Sequence, residues 1–332
     1  MARRLHDSAQ ARASARARYR GIILKAFIFA LSCLAGTASA SPFAFVPNEK
    51  SASVSVIDTA TDTVVRQLAV GKRPRGIAIA RGGKRLFVSD AAANTLLGVD
   101  VASGAISTTP LGKSPEGVGL SADGRLVAVA VEESNSVTLV DAASGAVLAD
   151  IPVQGKNPEH AVFSPDGRWL LVSAEEAEQV DLIDVAARRQ VGSIAVGLRP
   201  RGMAFTPDSQ RAYVACELVN KVYAIDLASR KAIATIAAGK NANGIAMAPD
   251  GKHVWVSNGA DGTVMRIDTT SNQVGATVAV GKRPWNMAIT ADGSKLYVAN
   301  GRSNSVSVID TATASRRADI AVGELPWGVA LD

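Results

Sequence analysis

The sequence has 332 residues, of which 47% are hydrophobic, 20% charged and 5% aromatic. A chain with this share of apolar side chains can bury a sizeable core, which excludes an intrinsically disordered protein. The formal net charge is +6. It does not indicate a nucleic-acid-binding surface, because the excess lies in residues 1–40 and the rest of the chain has equal numbers of acidic and basic side chains.

Residues 1–40 have the pattern of a secretory signal peptide. Basic side chains precede an apolar run at 26–35, and the segment ends in the small residues Ala38-Ser39-Ala40. We expect cleavage before Ser41, release into the periplasm, and no membrane span afterwards, because no other long apolar stretch occurs. The chain is thus predicted to consist of a signal peptide, residues 1–40, and one folded domain, residues 41–332.

A repeat of about 42 residues fills the predicted domain, and two markers define it. An aspartate ends an apolar, alternating segment in each copy: Asp58, Asp100, Asp141, Asp184, Asp226, Asp268 and Asp310, with spacings of 41 to 43 residues. A Gly-x-x-Pro sequence begins at Gly71, Gly112, Gly155, Gly197, Gly281 and Gly323, and Gly239 fits the register without the proline. We expect each aspartate to accept hydrogen bonds from backbone N–H groups of the turn that follows it.

One copy of the repeat predicts four short strands, at residues 76–80, 85–89, 95–100 and 106–111, separated by Gly-containing turns. Four antiparallel strands in a repeat of this length are typical of a propeller blade. The chain ends in a first strand near residues 328–332 and the predicted domain starts with a second strand at 43–46. One blade is then shared by both termini, which predicts a closed, all-β, seven-bladed propeller with few helices.

The second strands, such as Leu296-Tyr-Val-Ala-Asn300, and the third strands, such as Ser305-Val-Ser-Val-Ile-Asp310, resemble those of the YVTN-repeat β-propeller family. The resemblance covers residues 43–332 and implies the propeller fold. The loops Gly71-Lys-Arg-Pro-Arg-Gly76 and Leu325-Pro-Trp-Gly-Val329 also look like those of the exported propeller associated with PQQ-dependent catabolism. That resemblance implies an accessory role in quinoprotein alcohol oxidation, with PQQ held only by a partner enzyme.

The residue after the proline of each Gly-x-x-Pro loop is predicted to line the mouth of the central channel. In order around the ring these residues are Trp285, Trp327, Arg75, Glu116, Glu159, Arg201 and Asn243. His160 takes the place of the glycine that follows and is expected to face the channel. Two indoles beside an arginine, followed by two carboxylates, form a polarised rim, and Trp and Arg often anchor interfaces. We therefore predict a binding site for a protein partner or a small ligand, although the arginines could instead only neutralise the glutamates.

These observations lead to the prediction of an exported, monomeric, non-enzymatic binding or scaffold module without catalytic residues, metal or cofactor. No Gly-x-Ser-x-Gly, Cys-x-x-Cys or His-x-x-x-His sequence occurs. Two alternatives stay open. The first is a metal-dependent, lactonase-like hydrolase that uses the acidic side of the mouth through Glu116, Glu159 and Asn243. The second is a single-stranded nucleic-acid binder with stacking tryptophans, which the neutral charge of the domain disfavours.

Overall fold

The computed structural model describes residues 43–332, so the predicted signal peptide lies outside the described residues. The described chain forms seven four-stranded antiparallel sheets, which are the blades of a propeller. This confirms the predicted fold class.

Blade 1 contains β1 (Phe43–Asn48), β2 (Ser53–Asp58), β3 (Thr63–Ala69) and β28 (Ala330–Leu331). Blade 2 contains β4 (Pro74–Ile79), β5 (Arg85–Asp90), β6 (Thr95–Asp100) and β7 (Ile106–Pro110). Blade 3 contains β8 (Pro115–Leu120), β9 (Leu126–Val131), β10 (Ser136–Asp141) and β11 (Val147–Pro152). Blade 4 contains β12 (Pro158–Phe163), β13 (Trp169–Ala174), β14 (Gln179–Asp184) and β15 (Arg189–Ala195).

Blade 5 contains β16 (Pro200–Phe205), β17 (Arg211–Cys216), β18 (Lys221–Asp226) and β19 (Lys231–Ala237). Blade 6 contains β20 (Ala242–Met247), β21 (His253–Asn258), β22 (Thr263–Asp268) and β23 (Val274–Ala279). Blade 7 contains β24 (Pro284–Ile289), β25 (Lys295–Asn300), β26 (Ser305–Asp310) and β27 (Ser315–Ala321). Within residues 43–332, the helical structure is one short 3-10 turn, Glu132–Ser134.

The ring closes in blade 1, where the C-terminal strand β28 pairs antiparallel with β1. Phe45 lies opposite Ala330 and Ala44 opposite Leu331, and the backbone N–H of Trp327 donates to the carbonyl of Pro47 at 3.0 Å. A second contact joins blades 7 and 1 through side chains. The Tyr297 hydroxyl hydrogen-bonds the Asp62 carboxylate, and Lys295 Nζ lies 2.9 Å from the same group. The predicted closure by both termini is confirmed.

Apolar side chains of neighbouring blades form the core between the sheets. Between blades 4 and 5, for example, Leu171 and Leu182 pack in one buried cluster with Val214 and Ile225. The second strands are buried almost throughout, so they read as continuous apolar runs rather than as alternating ones. Cys216 is fully buried, and burial raises the pKa of its thiol to about 12.

The repeated aspartates hold the turns after the third strands, as the sequence predicts. Asp58 Oδ1 accepts from Ala60 N–H at 2.7 Å, and Asp184 Oδ1 accepts from Ala187 N–H at 2.9 Å. Equivalent bonds occur in the other five blades, at Asp100, Asp141, Asp226, Asp268 and Asp310. These carboxylates are therefore structural acceptors that fix the strand-to-strand turn.

The first strands pack side by side around the channel at a column of small residues. A Cβ atom on Gly76 would lie 2.3 Å from the carbonyl oxygen of Glu116 in the next blade, and one on Gly244 would lie 2.3 Å from that of Trp285. Adjacent backbones approach so closely here that only glycine fits at these positions. The first strands of neighbouring blades therefore pack backbone against backbone at these positions.

A helix that crosses a bilayer needs about 20 predominantly apolar residues. Among residues 43–332, no helix is long and apolar enough to cross a bilayer.

Candidate functional site

A polar depression of about 340 Å³ lies at one mouth of the channel. It is built by the loops that enter the first strands and by the loops that leave the second strands. Six of the seven predicted ring residues line it. The lining residues are Glu49, Arg73, Arg75, Ser114, Glu132, Glu133, Glu159, Glu175, Arg199, Arg201, Asn243, Trp285, Asn286 and Trp327.

The seventh predicted ring residue, Glu116, lies beneath this lining and is fully buried. Its carboxylate contacts the guanidinium of Arg75, which also reaches Glu49 at 3.3 Å. The Ser114 hydroxyl lies 3.2 Å from Glu116 Oε1 and 3.0 Å from Glu132 Oε2, so it connects the buried carboxyl group to the depression. Glu116 Oε2 has no hydrogen-bond partner among residues 43–332.

Arg201, in blade 5, contacts two carboxylates of blade 4 and one of its own blade. Its Nη1 atom lies 2.8 Å from Glu159 Oε1 and also contacts Glu175, and its Nε atom lies 3.1 Å from Glu217 Oε2. The contacts of Arg75 with Glu116 and of Arg201 with Glu159, which the sequence analysis gave as the alternative to a binding role, are therefore present. They do not exclude a chemical role, because Arg75, Arg201 and Glu159 still line the depression.

Glu217 is the centre of a second set of charged contacts. Arg283 Nη2 lies 2.6 Å and Asn241 Nδ2 3.2 Å from Glu217 Oε1, and Arg199 Nε lies 3.3 Å from Oε2. Glu217 is only 2% exposed. A buried carboxylate with several cationic neighbours fixes those arginines in place, which preorganises this side of the mouth.

The two buried glutamates of the ring have opposite protonation tendencies. Burial, reinforced by the neighbouring Glu159 carboxylate and opposed by Arg75, raises the pKa of Glu116 to about 8. Burial is the largest single effect on Glu159 and acts to raise its pKa, but the charge and hydrogen bond of Arg201, together with other neighbouring groups, outweigh it and hold that pKa below its ordinary value. Burial and the neighbouring charges thus shift the two pKa values apart, towards the protonated form of Glu116 and the ionised form of Glu159.

His160 crosses the channel, as the sequence predicts, and meets a residue that the sequence analysis did not single out. Its Nε2 atom lies 3.2 Å from Asn286 Oδ1. The imidazole stacks on the indole of Trp327, with ring centroids 5.4 Å apart and planes inclined by 18°. Burial lowers the pKa of His160, since the effect of Glu159 in the opposite direction is smaller.

The opposite side of the mouth is less charged. Trp285 packs on the backbone of Gly301, where a Cβ atom would lie 2.4 Å from the indole. Asn243 is 3% exposed, and its Nδ2 group has no hydrogen-bond partner among residues 43–332. This side offers flat apolar surface together with an unpaired amide donor.

Three carboxylates could in principle bind a cation. Oxygen atoms of Glu132, Glu159 and Glu175 lie within 4.8 Å of one another, and oxygen-rich sets of this kind suit Ca²⁺ or Mg²⁺. Arg201, however, already contacts both Glu159 and Glu175. Its guanidinium occupies the position from which a cation would balance these charges, so the donor set does not require a metal.

Several residues of the site were missed by the sequence analysis: Glu49, Arg73, Arg199, Glu217, Arg283 and Asn286. A signal for some of them exists in the repeat. The position directly after the second strand is a glutamate in four of the seven blades, namely Glu49, Glu132, Glu175 and Glu217. Comparing this column across the repeats would have predicted an acidic ring above the first one.

Comparison with known proteins gives a family similarity over part of the chain. A family model described as "Lactonase, 7-bladed beta-propeller" matches residues 186–320. This segment contributes Arg199, Arg201, Asn243, Trp285 and Asn286 to the lining of the depression. A search among curated proteins finds no match.

Two solved structures are similar in fold. Hydrazine synthase from Kuenenia stuttgartiensis has a TM-score of 0.71 and 22% sequence identity, covering 77% of this chain and 89% of that chain. A functionally unknown protein from Desulfotomaculum acetoxidans DSM 771 has a TM-score of 0.77 and 17% identity, covering 88% of this chain and 99% of that chain. At these identities the similarity establishes the fold alone.

The similarity to the lactonase family corrects one prediction. The sequence analysis predicted a protein that is not an enzyme, because no catalytic motif of the common kinds occurs. The family model over residues 186–320 contradicts that prediction, since it describes a lactonase. The chain is a seven-bladed β-propeller whose residues 186–320 are similar to the lactonase propellers.

Proposed function

We propose that the protein is a lactonase-like hydrolase that opens a cyclic ester at the polar mouth of the channel. The observation that carries this proposal is a pair of buried glutamates, Glu116 in contact with Arg75 and Glu159 in contact with Arg201, whose pKa values are shifted in opposite directions. A hydrolase needs an acid, a base and a stabiliser of negative charge, and this set supplies all three. The matched lactonase segment adds independent support.

Arg201 and Arg75 are the proposed stabilisers of the oxyanion. Both guanidinium groups line the depression and are mostly buried. As water attacks the lactone carbonyl, its oxygen becomes negatively charged. A fixed guanidinium stabilises that charge more strongly than solvent does, because its orientation is already set by Glu217 and Glu49.

Glu159 and Glu116 carry the two proton transfers. The Glu159 carboxylate accepts a proton from the attacking water while the new carbon–oxygen bond forms. The ring carbon–oxygen bond then breaks, and the departing oxygen takes a proton from the Ser114 hydroxyl, which in turn takes one from Glu116. For this transfer the Ser114 hydroxyl, which donates to Glu116 Oε1 in the structure, must reverse its hydrogen bonds. The product is the open hydroxy acid, and a proton returning from Glu159 to Glu116 through solvent restores the site.

The indoles and the amide on the other side hold the ring of the substrate. Trp285 and Trp327 offer flat surface to its carbon atoms, and Asn243 Nδ2 offers a donor to an oxygen. A depression of about 340 Å³ accepts a small monocyclic lactone rather than a polymer.

The test is continuous titration of acid released from γ-butyrolactone, δ-valerolactone and α-hydroxy-γ-butyrolactone at pH 7. We expect hydrolysis of at least one of them, and a loss of roughly 100-fold or more in kcat for Glu159→Gln. Glu324→Gln, which changes an exposed rim residue paired with Lys50, is the matched control and should retain full activity. Absence of hydrolysis, or equal loss in both variants, would overturn the proposal.

Chelation distinguishes this mechanism from the metal-dependent alternative. Because Arg201 already neutralises Glu159 and Glu175, we expect EDTA to leave the rate unchanged. A rate that EDTA abolishes and Ca²⁺ restores would instead favour a cation on Glu132, Glu159 and Glu175.

Export to the periplasm and membership of the YVTN-repeat family remain proposals from the sequence. They rest on the signal-peptide pattern of residues 1–40 and on the second-strand and third-strand motifs. The link to PQQ-dependent catabolism rests on the Gly-x-x-Pro loops alone.

A further inference from the structure

The innermost column of the channel has a side chain in only two of the seven blades. Five blades have glycine there, at Gly76, Gly117, Gly202, Gly244 and Gly328. The other two blades have His160, on β12, and Asn286, on β24. These two side chains extend into the channel, whereas the other five blades have no side chain at this position. They meet each other, with His160 Nε2 3.2 Å from Asn286 Oδ1.

The hydrogen bonds of Asn286 determine which ring nitrogen of His160 is protonated. Asn286 Nδ2 donates to the Trp327 carbonyl at 3.4 Å, so its Oδ1 atom is the one that faces His160. An amide oxygen only accepts, hence His160 Nε2 must donate. The neutral imidazole then keeps its lone pair on Nδ1.

Nδ1 has no partner of its own. It is buried, and it has no hydrogen-bond partner among residues 43–332. Buried polar atoms in native proteins are nearly always paired, so an unpaired acceptor of fixed orientation in a channel needs an explanation.

We propose that His160 Nδ1 is a ligand-binding acceptor, set by Asn286 as positioning residue, which receives a hydrogen bond from a hydroxyl group of the bound small molecule. Trp327 links this atom to the mouth, since its indole both lines the depression and stacks on the imidazole. Because Nδ1 is buried, a ligand hydroxyl reaches it from the depression only when the Trp327 indole moves aside. The inference deepens the proposed function, because it makes a hydroxylated lactone a better ligand than an unsubstituted one.

The tautomer is measured first, without any activity assay. NMR of the protein labelled with ¹⁵N-histidine reports protonation of each ring nitrogen, and His253 is an internal control. We expect His160 to show a protonated Nε2 and an unprotonated Nδ1 at pH 7. In Asn286→Gly, which installs the residue that five other blades have, we expect both tautomers. Protonated Nδ1 in the wild type, or an unchanged spectrum in the variant, would overturn the assignment.

The acceptor role is measured with two matched probes, α-hydroxy-γ-butyrolactone and γ-butyrolactone. The hydroxylated probe should shift the Nδ1 resonance of His160, and the unsubstituted probe should not. His160→Gly should weaken binding of the hydroxylated probe about tenfold and leave the other unchanged. No shift of Nδ1 with the hydroxylated probe up to its solubility limit would overturn the acceptor role. A correct tautomer and shift without hydrolysis would refute the proposed function alone, whereas hydrolysis with equal preference for both probes would refute this inference alone.

Discussion

The Tyr297 hydroxyl and the Asp62 carboxylate form a hydrogen bond that joins the last complete blade to the first. Burial, with the nearby Asp62 carboxylate, raises the pKa of Tyr297, so the phenol remains a proton donor at neutral and moderately alkaline pH. The bond lies on the seam where the ring closes, beside the strand pair β28–β1.

Removing this hydroxyl should weaken the seam. We expect Tyr297→Phe to lower the free energy of unfolding by about 1 kcal/mol, because the donor to a half-buried carboxylate is lost. Urea denaturation followed by tryptophan fluorescence measures the change. Tyr223→Phe is the control, since Tyr223 packs against the core between blades 4 and 5 and not at the seam. Equal losses in the two variants would show that the seam contact contributes nothing specific.

Glu116→Gln should alter how stability depends on pH. The pKa of Glu116 is raised to about 8 in the folded protein, so between about pH 4.5 and 8 the unfolded state releases a proton that the folded state keeps. The wild type therefore loses stability from this group as pH rises, whereas the neutral amide does not. We expect the free energy of unfolding of the variant, relative to that of the wild type, to rise by a few kcal/mol from pH 5 to pH 9. Urea denaturation at each pH measures this difference. With Glu324→Gln the difference should stay constant, and a constant difference with Glu116→Gln would contradict the raised pKa.

Arg201→Ala should be among the most destabilising changes at the mouth. It leaves Glu159 and Glu217 buried without their shared cation, and breaking a buried ion pair in this way costs about 3–5 kcal/mol. Lys50→Ala removes an ion pair whose partners are both exposed, and it should cost less than about 1 kcal/mol. Chemical denaturation of both variants gives the comparison. A loss for Arg201→Ala as small as that for Lys50→Ala would mean that water already solvates these carboxylates.

Asp184→Ala should affect stability and nothing else. The carboxylate accepts from the Ala187 N–H in the turn after β14, so its loss should cost about 1 kcal/mol. Asp184→Asn keeps an acceptor oxygen and should behave nearly as the wild type. Both variants should hydrolyse lactones at the wild-type rate in the same titration assay, and a reduced rate would show that the turns are coupled to the mouth.

The sequence predicted the architecture because propeller structure is local and repeated. The spacing of the seven aspartates sets one blade at a time, and the half-blades at residues 43–46 and 328–332 imply closure without any distance information. The first ring of the mouth follows from the same register, since Arg75, Glu159 and Trp285 occupy equivalent positions after the Gly-x-x-Pro proline. Six of the seven positions predicted in this way line the depression.

The partnerships within the site could not be predicted in that way. Arg283 and Glu217 are 66 residues apart, and His160 and Asn286 are 126 residues apart, so no repeat spacing connects them. The raised pKa of Glu116 arises from complete burial, which a glutamate in a loop-like sequence does not indicate. The prediction of a non-enzymatic protein, which the lactonase model over residues 186–320 contradicts, rested on a search for sequence motifs. Such a search does not detect carboxyl groups whose pKa values are shifted by burial.

The pairing of β28 with β1 places the two ends of the described chain next to each other in a single sheet. A linker of a few residues could therefore join residue 332 to residue 43, and new termini could be opened in a loop between any two other blades. Such a circular permutant would keep every strand but would build each blade from one continuous segment. Its ring would then be held at the new opening only by contacts between blade faces, so fraying should begin there rather than in blade 1.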